Sequence, residues 1–137
     1  MKRLNKVLVT VILLSVITIE LSAQQNGYSE EYLKRAEKNS IVTMDSELNS
    51  LVESVIFNMI IFKDNFPNWE YKNIVKKLNE LAVDGKSIPI RYKAQLASMF
   101  ISHPELFEDI DIVDKDNPNK YFLEIASRVE RKFVASN

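Results

Sequence analysis

Four stretches within residues 46–134 place apolar side chains every three or four positions, and a single glycine, Gly85, stands among them. That spacing marks helices with one buried stripe, whereas a half-buried strand alternates. Sheet domains also need glycines at their tight turns, and the only other glycine in the 137 residues is Gly27. The chain is therefore expected to be all-α. Its length allows one domain with one core. An apolar fraction of 46% and a charged fraction of 27% are those of chains that fold.

Ser29 is placed to cap a short helix over 30–39, with Glu30 and Glu31 at the positive end of its dipole. The next helix, expected over 46–63, sets Leu48, Leu51, Val52, Val55, Ile56 and Met59 on a stripe. Phe57, Ile61 and Phe62 widen it around most of the circumference, which predicts burial between neighbours. From Asn68, Tyr71, Ile74, Val75, Leu78 and Leu81 form a narrower face, with Trp69 as a packing cover at its start and Gly85 as a left-handed carboxyl cap. Ser87 caps a second well-buried helix reaching Ile101, in which Pro89 falls in the first turn and is tolerated. Pro104 begins a short turn of helix anchored by Leu106, Phe107 and Ile110. Asn117 and Pro118 supply the cap and first residue of a last helix with Phe122, Ile125, Ala126 and Val129 on one face.

The amino terminus has a different plan. Lys2, Arg3 and Lys6 precede an apolar run over 7–19, and Leu21, Ser22 and Ala23 bring a small residue to a cleavage point. Those are the three parts of a secretory signal peptide, and the run is short of the ~20 residues that span a bilayer. Residues 1–23 are expected to be removed, 24–45 to form a lead-in with a short helix, and 46–137 to be the helical domain. Localisation would then be periplasmic or secreted, with membrane contact only through the uncleaved leader. The leader holds three of the 18 basic residues and one of the 19 acidic ones, so the remainder carries a net charge of −3. A mildly acidic surface lacks the basic footprint of nucleic-acid binding. With no cysteine, thiol catalysis and cysteine metal sites are excluded.

The helices also repeat. Leu51 to Phe62 lie over Ile90 to Ile101 with apolar or small residues matched at Leu51/Ile90, Val55/Ala94, Phe57/Leu96 and Ile60/Met99. The following helices match at Pro67/Pro118, Tyr71/Phe122, Ile74/Ile125, Lys77/Arg128 and Leu78/Val129, once an insertion over about 103–114 is allowed. A helical hairpin repeated at this period resembles the HEAT-like repeats, which have two helices per unit and a period of ~40 to 47 residues. The resemblance covers 46–134, as unit one over 46–85 and unit two over 86–137, and rests on a degenerate apolar pattern. It implies antiparallel helical hairpins stacked as a short right-handed α-α array. With two units where three or more are usual, the amino-terminal helix would act as a cap, or the chain would close into a small helical bundle. It further implies that the second helices line a partner surface, which singles out Lys72, Lys76 and Lys77 on one and Arg128 and Arg131 on the other.

Chemistry is sparse. Aspartates at 109, 111, 114 and 116 crowd the insertion, but no calcium loop results. Counting from Asp114, the fifth ligand position is Pro118, the required glycine is Asn119 and the final glutamate is Ile125. The acids instead suit a docking strip for a basic partner, or a looser cation site assembled from Asp109, Asp111, Asp114 and Asp116 without a fixed frame. His103 is the only histidine, so neither a zinc set nor a catalytic triad can be assembled from recognisable parts. Glu105 and Asp109 form an ordinary exposed pair at helical spacing. No glycine-rich phosphate loop occurs, and no cofactor is expected. The expected function is protein–protein interaction rather than catalysis, through Lys72, Lys76, Lys77, Asp109, Asp111, Asp114, Asp116, Arg128 and Arg131. The alternative is a small hydrolase or cation-dependent enzyme built on the carboxylates from Asp109 to Asp116.

Overall fold

A computed structural model describes residues 27–110 and 116–135. The leader expected over 1–23, and Asp111 and Asp114 of the acidic insertion, lie outside the described residues. The helices are α1 (Glu30–Thr43), α2 (Asn49–Asn65), α3 (Lys72–Asp84), α4 (Ile88–Ser102) and α5 (Pro118–Ala135), with one 3-10 turn at Pro104–Leu106. Among the described residues there is no strand, so the fold is all-α, as apolar spacing and glycine scarcity predict. The chain divides into two compact units, Met1–Ala36 and Glu37–Asn137.

In the first unit, Ser29 caps α1 as expected, its Oγ accepting a hydrogen bond from the Tyr32 amide at 3.2 Å. Tyr28 stacks on Tyr32 with ring centroids 4.9 Å apart. Glu30 pairs with Lys34 and Glu31 with Arg35 across one helical turn. All four side chains are exposed, so these pairs add little.

In the second unit α4 is the organising element, packing closely on α2, α3, α5 and the 3-10 turn. Small residues explain the closeness: Ala94, Ala97 and Ser98 are buried on α4 and let neighbouring backbones approach. Ser98 Oγ donates to Asn79 Oδ1 at 2.6 Å, satisfying a buried hydroxyl at the seam of α3 and α4. Two ion pairs, Glu47 with Lys86 and Glu53 with Lys93, join α2 and α4 start to start, so these helices run in the same direction. α3 runs against α4, to which it is joined by the short connection 85–87. Ile56, Ile60, Ile74, Leu78 and Ile125 lose all their exposure, each such burial stabilising by ~1.5–3 kcal/mol. At one end Phe57, Phe100, Phe107, Tyr121 and Phe122 form an aromatic group that ties α2, α4, α5 and the 3-10 turn together.

Local expectations hold at several caps. Ser87 Oγ accepts from the Ile90 amide and Asn117 Oδ1 from the Lys120 amide. Phe107 and Ile110 anchor the insertion, both buried. Others need correction. Gly85 is not left-handed but extended, with φ −57° and ψ 142°. Glycine is required there by space, because a Cβ would stand 2.5 Å from the Leu81 carbonyl oxygen and 2.9 Å from Ile90 Cγ2. α3 begins at Lys72 rather than Asn68, because Tyr71 is held by its phenol, which donates to the Phe62 and Phe66 carbonyls at 3.0 and 2.8 Å. α1 continues past Asn39 to Thr43 and is followed by Met44, which is buried. Leu48 and Leu51, expected on the buried stripe of α2, remain exposed at its start.

Candidate functional site

The turn that follows α1 is set by local bonds. The Met44 amide donates to the Ser40 carbonyl, the Asp45 amide to Val42 and the Ser46 amide to Thr43. These bonds turn Met44 inward and hold Asp45 and Ser46 beside it. That turn, the first turns of α2, the second half of α3 and the start of α4 enclose a cleft of about 320 Å³. Its floor is apolar: Met44, Val52 and Ile90 are almost fully buried, and Leu81 is partly so. Its rim is charged, with Asp45, Glu80 and Asp84 facing Lys77 and Lys86.

Both lysines are already engaged. Lys77 is ion-paired with Asp45, and Glu80 Oε2 stands 3.7 Å from the same ammonium. Lys86 reaches Glu47 Oε2 at 2.5 Å. Arg91, next to the cleft, donates to the Gly85 carbonyl at 2.7 Å and closes the end of α3. Asp84, the last residue of α3, has no ion pair among the described residues.

The residues expected to bind a partner are dispersed. Lys77 does not project from α3: its side chain is only 15% exposed, because Asp45 draws the ammonium across the cleft and its stem covers apolar surface. Lys72 and Lys76 are exposed, on a shallow depression of the outer face of α3 that also includes Val75 and Val83. Arg128 likewise does not project. Its Nη1 donates to Asp109 Oδ2 at 2.7 Å with the arginine side chain 18% exposed, so it fastens the insertion to α5. The Arg128 guanidinium holds the Asp109 carboxyl below the usual carboxylate range, first through that hydrogen bond and then through its charge. Arg131 is exposed and its Nε donates to the Ser127 carbonyl on its own helix. Asp116 lies exposed just before α5. The structure thus brings Asp109 to Arg128 and Lys77 to the cleft, and does not bring these two places together.

A second polar cluster is structural. Glu37, buried in α1, accepts from Trp69 Nε1 at 3.1 Å and from Asn73 Nδ2 at 3.0 Å. It fixes the middle of α1 to Trp69 in the connection before α3 and to Asn73 in the first turn of α3. Trp69 is partly buried against the core, the packing role its position suggests. His103 Nδ1 sits 3.3 Å from Glu105 Oε1 with both side chains more than half exposed, an ordinary surface pair. Among the described residues no group of histidine and carboxylate side chains could hold a metal ion, and no helix is long and apolar enough to cross a membrane.

No family model matches the chain, and no characterised protein and no solved structure is similar to it.

Proposed function

We propose that this protein is an exported helical interaction module that binds a protein partner through the cleft bounded by Met44, Val52, Leu81 and Ile90. The observation that carries the reading is the cleft itself, where a largely buried apolar floor, with Leu81 partly open to solvent, lies under a charged rim, the arrangement by which small sites gain affinity from a floor and orientation from a few polar groups. The short apolar run at 7–19 behind Lys2, Arg3 and Lys6 supports export and cleavage near Ala23. The parallel course of α2 and α4, with α3 running against α4, supports reading the helices as a short HEAT-like array.

The test is crosslinking in the cells that make the protein, followed by purification of the tagged full chain. Three forms are compared: wild type, a cleft variant with Glu80→Gln and Asp84→Asn, and an insertion variant with Asp109→Asn and Asp116→Asn. A partner lost only in the cleft variant is the expected result. A partner lost only in the insertion variant would move the site to the acidic loop. No partner in any form would overturn the module reading.

A further inference from the structure

Resting on the cleft as the partner site, we infer that the group it takes is a lysine or arginine side chain of the partner protein. Size comes first. At ~30 Å³ per water, about 320 Å³ holds roughly ten waters, the low end of the ~300–1,000 Å³ of ligand sites. That is room for one long side chain and too little for the face of a helix. The floor, in which Leu81 is partly exposed above the buried Met44, Val52 and Ile90, suits a methylene stem, which basic side chains bury while their charged heads stay at the surface.

Charge selects the head group. An anion would have to displace Asp45 from Lys77 or Glu47 from Lys86. A cation would leave both of those pairs in place. Glu80 and Asp84 stand one helical turn apart on the same side of α3, a like-charge spacing that repels. Asp84 is also the last residue of α3, at the negative end of the helix dipole, and the last turn holds no basic residue. Arg91 does not relieve it, being bound to the Gly85 carbonyl and making no ion pair with Asp84. At 3.7 Å from Lys77 the nearer Glu80 oxygen is beyond hydrogen-bond length and keeps its accepting capacity. An ammonium or guanidinium set between these two carboxylates removes their repulsion and complements the helix end in one contact.

The experiment is a titration of the full chain, labelled at isoleucine, valine and methionine methyls, with four capped tetrapeptides that differ only in a central lysine, arginine, norleucine or glutamate. Lysine and arginine peptides should give saturable shifts at Met44, Val52 and Ile90, with Kd about tenfold or more below the other two, as a charge-assisted contact requires. Asp84→Asn should raise that Kd about tenfold, and Lys72→Ala on the outer face of α3 should leave it unchanged. Asp84 is exposed, and an unaltered methyl spectrum elsewhere shows that the variant is folded. Equal binding of the norleucine peptide, preference for glutamate, or no saturable shift with any peptide would overturn the inference. Shifts that appear on raising protein concentration alone would make the occupant a second copy and overturn it as well. A partner crosslinked through the cleft while the lysine peptide is refused would leave the partner site standing and remove only the basic side chain, so the two failures read apart.

Discussion

Tyr71 shows how one side chain sets a helix boundary. Its phenol donates to two carbonyls at the end of α2, and burial pushes its pKa up, with the nearby Glu37 carboxylate adding to the shift. A raised folded-state pKa means the stabilisation is complete below the unfolded value of about 10 and is lost as pH rises from there towards the folded value. Tyr71→Phe should therefore cost about 1 kcal/mol at neutral pH, and the gap to wild type should close in denaturant titrations above about pH 10. Asp109 has the opposite sign. Arg128 lowers its pKa, so its contribution is present above the unfolded value of about 4 and lost as pH falls through the folded one. Wild type should exceed Asp109→Asn in thermal midpoint at neutral pH, and the two should converge on acidification. At Gly85 the constraint is space rather than backbone sign. Gly85→Ala should lower unfolding free energy by ~1–3 kcal/mol through overpacking against Leu81 and Ile90.

Residues 37–43 of α1 are held to the core by Ile41 and by Glu37, whose carboxylate accepts from Trp69 and Asn73. Glu37→Ala leaves the Trp69 indole N–H and the Asn73 amide without their acceptor and should cost about 2–3 kcal/mol, since bonds to a charged group carry more than neutral ones. Hydrogen exchange should show amides 38–44 losing protection before those of α4, because α4 packs on three other helices. The contrast also explains what the sequence made legible. Apolar spacing located the four helices within 46–134, the Ser29 cap with Glu30 and Glu31 located α1, and cap residues such as Ser87 and Asn117 marked other starts. What it could not express was pairing at a distance. Lys77 lies on the polar side of its own helix and so reads as a projecting charge, yet Asp45, 32 residues earlier, turns it across the cleft. Arg128 is drawn back to Asp109 in the same way. The cleft was hidden for a related reason: its residues come from the turn after α1 and three helices, and none belongs to a local motif. The one local signal was acidic and basic residues gathered on either side of Gly85, at Asp84 and Lys86.

Across the whole molecule, charge and cleft point to one mode of use. Removal of 1–23 would leave a net charge of −3, and the cleft rim, with three acids to two bases, has an excess of the same sign, so a basic partner would be favoured both on approach and on docking. Export makes its own prediction: the protein recovered from outside the cytoplasm should begin close to Gln24 on amino-terminal sequencing, and recovery only with an intact Met1 would contradict the leader. The most direct test of the central claim, that the cleft is the working surface, is site-specific photocrosslinking in the producing cells. A photoreactive residue is placed in turn at Ser46 and Lys86 on the rim, Lys76 on the outer face of α3, Asp116 before α5 and Glu124 on α5. One partner captured from Ser46 and Lys86, and not from the other three positions, is the predicted result. Capture from Asp116 or Glu124 with none from the rim would contradict it.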